Sequence, residues 1–224
     1  MDKTRSPEII DEMQGPQSAV MAIREFVVRP LAFRCRPAGR KNAPERFTAQ
    51  VYHYLNSPSG PEMAELKKTT GKCSAQIEAF YERHNGFVLY RDSLSSAAGM
   101  EALPIRTWAK ATERLHESVQ DRAEDEEESS ELILCVVFAT VPRSGNYFAI
   151  QTSGQNSGAV YYTDHEALLA LRKPFAPDFD GFISRLISEP IDLLTKVLGC
   201  FTRYSDGTTT TQWIPAEVQP GSAQ

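Results

Sequence analysis

The sequence predicts a soluble domain of mixed α and β structure, and two kinds of pattern carry that prediction. Three stretches have apolar residues at helical spacing, near residues 63–84, 105–119 and 175–187. Between the second and the third lie three strand-like segments, joined by short turns rich in Gly, Ser and Asn. A chain of 224 residues, of which 41% are hydrophobic and 24% charged, can build one sizeable core.

Residues 1–60 are interpreted as an N-terminal extension of uncertain structure. We expect a short helix over residues 19–28, which must end there because the residue before Pro30 is disfavoured in a helix. Residues 47–55 are apolar enough to pack, as either a helix or a strand. A dense cluster of turn-forming residues at 56–61 favours a boundary between this extension and the rest of the chain.

The main domain is predicted to span residues 61–215 and to open with two helices. Pro61 suits the first turn of the first helix, and Ser74 is a suitable N-cap for the second. The second helix carries four side chains on one face, at i, i+3, i+4 and i+7: Ile77, Phe80, Tyr81 and His84. Asn85 and Gly86 tolerate a positive φ, so the helix is predicted to end at this pair and to turn into a strand.

The strongest β pattern in the chain follows a third amphipathic helix, predicted over residues 105–119. That helix leads into an acidic loop at 120–131, which is too charged to pack against a core. Next come three segments predicted to pair as antiparallel strands, at residues 131–141, 147–152 and 158–163. The turns between them have the composition of hairpin turns.

The last third of the chain is predicted to be helical first and then to form a hairpin. Asp164 can cap a helix that begins after it, and the apolar residues at 175–187 keep helical spacing throughout. Residues 200–214 are predicted to form a C-terminal β-hairpin around an Asp-Gly turn. Residues 216–224 are expected to be a flexible tail.

Charge is unevenly distributed along the chain. The formal net charge of −5 and a pI near 5.5 argue against a general nucleic-acid or anionic-membrane binder. Residues 24–46 nevertheless contain seven basic and two acidic side chains, and residues 113–131 contain nine carboxylates and two basic side chains. The acidic loop is either a solvated insertion or a source of negative field that attracts a basic partner. The basic stretch suits either that loop or a phosphate group.

The cysteines and the N-terminus favour a cytoplasmic protein. The four cysteines are dispersed, and none belongs to a Cys-x-x-Cys pair. The N-terminus lacks the apolar stretch of a signal peptide, and no window of the sequence has the length and hydropathy of a membrane span. We therefore expect a reducing compartment, free thiols and no membrane partner.

No motif in the sequence indicates catalysis. Residues 70–74 lack the upstream glycine of a phosphate-binding loop, and the glycine-rich stretch 154–158 lies between two strands rather than at a nucleophile elbow. The four histidines have no metal-ligand spacing. His84 suits a helix C-terminus, with a general base as the alternative, and His165 suits either a helix N-terminus or a partner-facing surface. The expectation is a protein that is not an enzyme and has no metal or cofactor.

Two groups of motifs, in order along the chain, resemble the SUKH superfamily. The first group is Met63-Ala-Glu-Leu-Lys-Lys-Thr-Thr-Gly71 followed by Ile77-Glu-Ala-Phe-Tyr-Glu-Arg-His-Asn-Gly86. The second group resembles the central strands, the polar step and the closing helix of that superfamily: Tyr147-Phe-Ala-Ile-Gln151, Gly158-Ala-Val-Tyr-Tyr162, Asp164-His-Glu166 and Ala176-Pro-Asp-Phe-Asp-Gly-Phe-Ile-Ser-Arg-Leu186. The resemblance covers about residues 61–190, and the acidic loop stands in it as an insertion.

This resemblance implies an α+β domain with a mostly antiparallel central sheet flanked by helices. The superfamily groups fungal cell-wall-assembly regulators of the Smi/Knr type with bacterial proteins that give immunity to toxins. Its members bind other proteins and carry no catalytic residues. In this chain Tyr81, Asn85, Gly86 and Trp213 are expected to be the structural residues of the motif.

The function expected from the resemblance is binding of a partner protein. The leading hypothesis is an immunity protein that binds and neutralises a toxin, for which a basic nuclease is the partner expected. The alternatives are a regulatory scaffold in signalling or cell-wall assembly and, third, an enzyme with an unrecognised site. The predicted partner-facing residues share a negative charge that would attract a basic protein: Glu124, Asp125, Glu126, Glu127, Glu128, Asp164 and Glu166.

Overall fold

Eight strands form one open antiparallel sheet in the computed structural model, which describes residues 18–39, 47–58, 60–70, 75–95, 98–120, 134–164, 173–208 and 210–221. The strands are β1 (Leu31–Pro37), β2 (Phe47–Leu55), β3 (Phe87–Asp92), β4 (Met100–Ala102), β5 (Cys135–Thr140), β6 (Tyr147–Gln151), β7 (Val160–Thr163) and β8 (Trp213–Pro220). Their order across the sheet is β7-β6-β5-β4-β3-β2-β1-β8. The predicted α+β class, with a mostly antiparallel sheet and flanking helices, is confirmed.

The described helices lie where the apolar spacing predicts them. They are α1 (Ser18–Val27), α2 (Met63–Thr70), α3 (Ala75–Tyr81), α4 (Trp108–Gln120), α5 (Phe179–Ser188) and α6 (Pro190–Asp192), the last continuing into a π-helical turn at Leu193–Val197. Short 3-10 turns precede α2 and α4, at Gly60–Glu62 and Ile105–Thr107. Helix α1 packs beside α3 and α5 on one face of the sheet, which we call the first face.

An aromatic cluster fills the space between the first face and its helices. The ring of Phe182 on α5 lies 5.0 Å from that of Phe138 on β5 and 5.2 Å from that of Phe148 on β6, measured between centroids. Phe179 and Leu186 of the same helix are fully buried as well. The predicted helical spacing is therefore confirmed for α5, although Phe175 lies ahead of the helix and reaches the cluster from there.

The other face of the sheet, the second face, is covered by α4 over only part of its width. Ala111 and Leu115 of α4 form a separate buried cluster with side chains of β5 and β7, among them Val137 and Tyr161. Successive side chains of these strands point to opposite faces of the sheet, so one set packs against α5 and the other against α4. The predicted helix and the three predicted antiparallel strands are thus confirmed.

Strands β1 and β2 are interior strands of the sheet, between β3 and β8, although they belong to the stretch interpreted as an extension of uncertain structure. Phe33 of β1 and Val51 of β2 are part of the same buried cluster as the aromatic residues of α3 and α5. The turn at 56–58 is also tied to the main domain, since Asn56 N donates to Gly86 O at 2.9 Å. The turn signal at 56–61 therefore marks the end of a strand, and the sheet continues across it.

The C-terminal residues correct two further expectations. The predicted hairpin is reduced to one antiparallel bridge between Tyr204 and Trp213, whose indole N–H also donates to Asp206 at 2.9 Å. Beyond Trp213 the chain leaves the hairpin and pairs with β1 as far as Pro220. Residues 216–220, expected to be part of a flexible tail, are instead strand residues at the edge of the sheet.

The Asn85-Gly86 pair joins four parts of the fold at the end of α3. The Asn85 amide donates to Glu62 at 2.7 Å, and its oxygen accepts from the backbone N–H of Ile105 at 2.9 Å. Gly86 has a φ of +96°, and a Cβ at this position would lie 2.2 Å from the carbonyl oxygen of Ala102 on β4. The His-Asn-Gly sequence is therefore a backbone junction that only glycine fits.

We expect Gly86→Ala to destabilise the fold far more than Gly207→Ala, measured as the free energy of unfolding in urea. Both glycines have positive φ, so both substitutions meet left-handed strain, but nothing lies within 4 Å of a Cβ at Gly207. Gly207→Ala, the control, should lower the free energy of unfolding by about 1–2 kcal/mol. Gly86→Ala should lower it by about 2–5 kcal/mol, because its Cβ would also clash with the carbonyl of Ala102. Equal losses in the two variants would contradict the close approach of Gly86 to β4.

A β-bulge between β2 and β3 is built around Tyr90, which has a φ of +58°. The register passes from the pair Tyr52–Arg91 to the pair Tyr54–Val88, so two residues of β3 lie opposite His53 alone. The Tyr90 backbone N–H donates to Nδ1 of His53 at 3.0 Å instead of to a strand carbonyl. Burial lowers the pKa of His53 to about 4, so its imidazole is neutral and accepts this bond.

Acid is expected to destabilise the protein partly through His53. An unfolded chain protonates this side chain near pH 6.5, and the folded chain only near pH 4, so stability present above pH 6.5 is lost as the pH falls towards 4. Between pH 7 and 4.5 this one group should remove about 2 kcal/mol from the free energy of unfolding. His53→Asn keeps an acceptor without the titration, and should lose correspondingly less over that interval. If the stability of His53→Asn depended on pH as strongly as that of the unsubstituted protein, this role of His53 would be ruled out.

Candidate functional site

The second face of the sheet is open at the end formed by β8, β1, β2 and β3. Helix α4 packs on β5, and no described helix packs on this face beyond it. We call the exposed area the tyrosine face. It consists of Arg34, Arg36, Thr48, Gln50, Tyr52, Tyr54, Arg91, Glu101 and Glu217.

Strand register places these side chains on the same side of the sheet. Residues directly opposite each other in neighbouring strands share a face, and alternate residues of one strand do so too. Arg34 lies opposite both Thr48 and Glu217. Tyr52 lies opposite Arg91, and the next row contains Tyr54. The tyrosine face is therefore a contiguous surface that crosses five strands.

Two parallel tyrosine rings form the centre of this surface. The rings of Tyr52 and Tyr54 are 6.2 Å apart between centroids, with an angle of 12° between their planes. Tyr54 is 44% exposed, which is unusual for a side chain of this size on a central strand. Burial against its neighbours, and then the nearby Glu101 carboxylate, raise the pKa of the Tyr54 hydroxyl, so it remains a hydrogen-bond donor at neutral pH.

Two ion pairs flank the tyrosines and hold the charged side chains in place. Arg91 lies 3.3 Å from Glu101, with only 14% of its side chain exposed, and Arg34 lies 3.5 Å from Glu217. With Arg36, the surface carries three arginines and two glutamates, so it is close to neutral. Exposed ion pairs contribute little to stability, so the value of these lies in fixing the orientation of Arg and Glu around the rings.

Of the predicted partner-facing residues, the structure describes Asp164, which is not part of the tyrosine face. Asp164 is half-buried directly after β7, at the edge of the sheet opposite to β8. Glu166 and the five acidic residues from Glu124 to Glu128 lie outside the described residues, as does His165. Tyr81, one of the residues expected to be structural, donates its hydroxyl hydrogen to the carbonyl of Leu103 at 2.9 Å. Asn85, Gly86 and Trp213 make the contacts given above.

The sequence analysis does not predict the tyrosine face, because the composition of residues 47–55 suits either a helix or a strand. A signal was available in the strict alternation of this stretch. Phe47, Ala49 and Val51 alternate with more polar residues, which is typical of a strand buried on one side only. The same alternation occurs in β1, where Phe33 and Cys35 are buried and Arg34 is exposed.

His84, for which a general base is the alternative interpretation, and His116 both have ordinary surroundings. His84 follows α3 with its ring 5.7 Å from that of Phe80, and burial, with a smaller effect of Arg24, lowers its pKa. His116 on α4 lies 3.3 Å from the carbonyl oxygen of Cys135. Within the described ranges, no three His, Cys, Asp or Glu side chains are grouped as metal ligands would be.

Comparison of the sequence with known proteins gave no match. No protein-family model matches the sequence, and none of the curated proteins is similar to it. Across the part of the chain that the structure describes, no helix combines the length and the apolar character needed to cross a membrane.

Proposed function

We propose that this chain is a non-enzymatic protein-binding module, which binds a partner protein through the tyrosine face. The observation that carries the proposal is a pair of neighbouring tyrosines on the interior strand β2, of which Tyr54 is exposed and Tyr52 half-buried, flanked by oriented Arg-Glu pairs. Tyr and Arg are the residue types that supply much of the binding energy at protein interfaces. A tyrosine on a strand also loses little conformational entropy on binding, because the sheet already restricts it.

The charge of the tyrosine face favours a protein over a nucleic acid as its partner. Binding to a phosphate backbone needs several cations that are free to replace counterions. Here Arg34 and Arg91 are already paired with glutamates of neighbouring strands. A mixed surface of this kind suits a partner that also presents both signs of charge, as a folded protein does.

The more specific proposal is that the partner is a toxin, which this protein neutralises by covering its active surface. This step rests on the resemblance of the segments at 63–71 and 77–86 to SUKH proteins. The acidic residues from Glu124 to Glu128, with Asp164 and Glu166, would speed the approach of a basic partner, and the tyrosine face would form the tight contact. A regulatory scaffold, using the same face for a different partner, is distinguished by the identity of what is bound.

We expect the Tyr54→Ala variant to lose binding of a partner protein that the Leu94→Ala variant still binds. Leu94 is also exposed, at 61%, but it lies in the turn after β3 and is not one of the residues of the tyrosine face. The tagged chain and both variants would be incubated with lysate of the native cells, and bound proteins compared by quantitative mass spectrometry. For a partner identified in this way, Tyr54→Ala should weaken the affinity by about 10- to 100-fold.

The outcomes of this comparison separate the proposals. Loss of the same basic nuclease-like protein with Tyr54→Ala, but not with Leu94→Ala, would support neutralisation of a toxin. Loss of signalling or envelope-assembly proteins would support a scaffold. Equal capture by all three baits would reject the tyrosine face as the binding surface.

The acidic loop should act on the rate of association. Reversing Glu126, Glu127 and Glu128 to Lys is expected to slow association with a basic partner and to flatten its dependence on salt, because steering is electrostatic. The rate constants would be measured by surface plasmon resonance between 50 and about 500 mM NaCl, a range over which the Debye length falls severalfold. An unchanged association rate would mean that the loop only solvates its surroundings.

A further inference from the structure

A small pocket opens where the first turns of α4 meet the connection between β5 and β6. Its volume is about 430 Å³, within the range of sites that hold small molecules. Its polar lining comes from Thr107, Lys110, Arg114, Arg143, Gly145 and Tyr147. The pocket lies beside α4 and borders the tyrosine face, because Thr140, which also lines it, pairs with Glu101 across β4 and β5.

Among the described residues, the pocket is lined by three cations and by no carboxylate. Lys110 and Arg114 lie four residues apart on α4, so they project from the same side of the helix, and Arg143 faces them from the β5–β6 connection. None of the three forms an ion pair with a carboxylate of the described residues, whereas Arg106, just before α4, pairs with Glu62. Three like charges around one pocket repel each other, and an anion bound between them would offset that repulsion.

The backbone around Arg143 holds this cation in an unusual position. Arg143 has a φ of +64°, which is a strained conformation for a residue with a side chain. The turn is fixed by buried neighbours: the Ser144 hydroxyl donates to the Val141 carbonyl at 2.7 Å, and the Asn146 backbone N–H donates to the Ser144 hydroxyl at 2.8 Å. Asparagine or glycine would fit this backbone with less strain, so arginine is the costly choice here.

We propose that this pocket binds a phosphate group, either as free phosphate or as the phosphate of a small molecule. The forked guanidinium groups of Arg114 and Arg143 suit two oxygens each, and Lys110 adds a third positive charge against a dianion. Leu103, Ala111 and the ring of Tyr147 supply an apolar wall for an attached organic group. The inference is independent of the proposed binding of a partner protein.

The test is isothermal titration calorimetry on the full chain, at constant ionic strength, with four probes. Inorganic phosphate and adenosine 5′-monophosphate should bind, and adenosine and acetate should not. Tighter binding of the monophosphate than of phosphate would identify an organic phosphate as the ligand, and equal affinity would identify the free ion. No heat of binding for either phosphate at 10 mM, or equal binding of acetate, would overturn the proposal.

Arg143→Gly separates a binding role from a structural one. Glycine relieves the positive φ, so the melting temperature should stay the same or rise, while the affinity for phosphate should fall at least tenfold. Arg114→Gln should lower the affinity similarly without loss of fold, because its side chain is exposed. Arg106→Gln removes the same charge nearby but outside this pocket, and should keep affinity within twofold. An equal loss with Arg106→Gln would mean a general charge effect and would overturn the site.

Discussion

The left-handed backbone at Tyr90 is the constraint on which the arrangement of the sheet depends. Its N–H is bound by His53 of β2, its carbonyl accepts from the Tyr204 hydroxyl at 3.0 Å, and its own hydroxyl donates to Leu186 of α5 at 2.6 Å. Nearby, the buried carboxylate of Asp92 accepts from the backbone N–H of Ser205. Together these bonds hold the segment before β8 against β3, from where β8 reaches the free side of β1.

The same bulge determines which side chains form the tyrosine face. In a regular strand Val88 and Tyr90 would share one face and Arg91 would take the other. The extra residue of the bulge reverses this alternation, so the Tyr90 side chain lies in the core. Arg91 then lies on the tyrosine face, where it is the register partner of Tyr52. Packing and hydrogen bonds thus hold Tyr90 at a positive φ that a residue with a side chain rarely adopts. The resulting bulge places Arg91 where it forms an ion pair with Glu101.

The spacing of apolar residues within a short segment predicts the helices and strands that have one clearly buried side. Helices α3 and α5 and the strands β5, β6 and β7 have clear spacing, and each is confirmed. Strand β8 could not be recognised in this way, because its pairing joins Leu31 to Pro220 across almost the whole chain and its two prolines resemble those of a loose tail. The bulge at Tyr90 has no local signal either. The tyrosine face depends on both of these features as well as on the alternation of β2, so the local pattern at residues 47–55 does not by itself reveal the surface.

The two edges of the sheet explain why a partner would use its face. A partner can add a strand only where an edge offers free N–H and C=O groups. At the β7 edge, Val160 exchanges two backbone hydrogen bonds with Ala176, at 2.9 and 3.1 Å. At the other edge, β8 contains Pro215 and Pro220, which have no N–H to donate, and its first residue, Trp213, is already bridged to Tyr204. With both edges obstructed in this way, a folded partner has access to the part of the second face that no described helix covers.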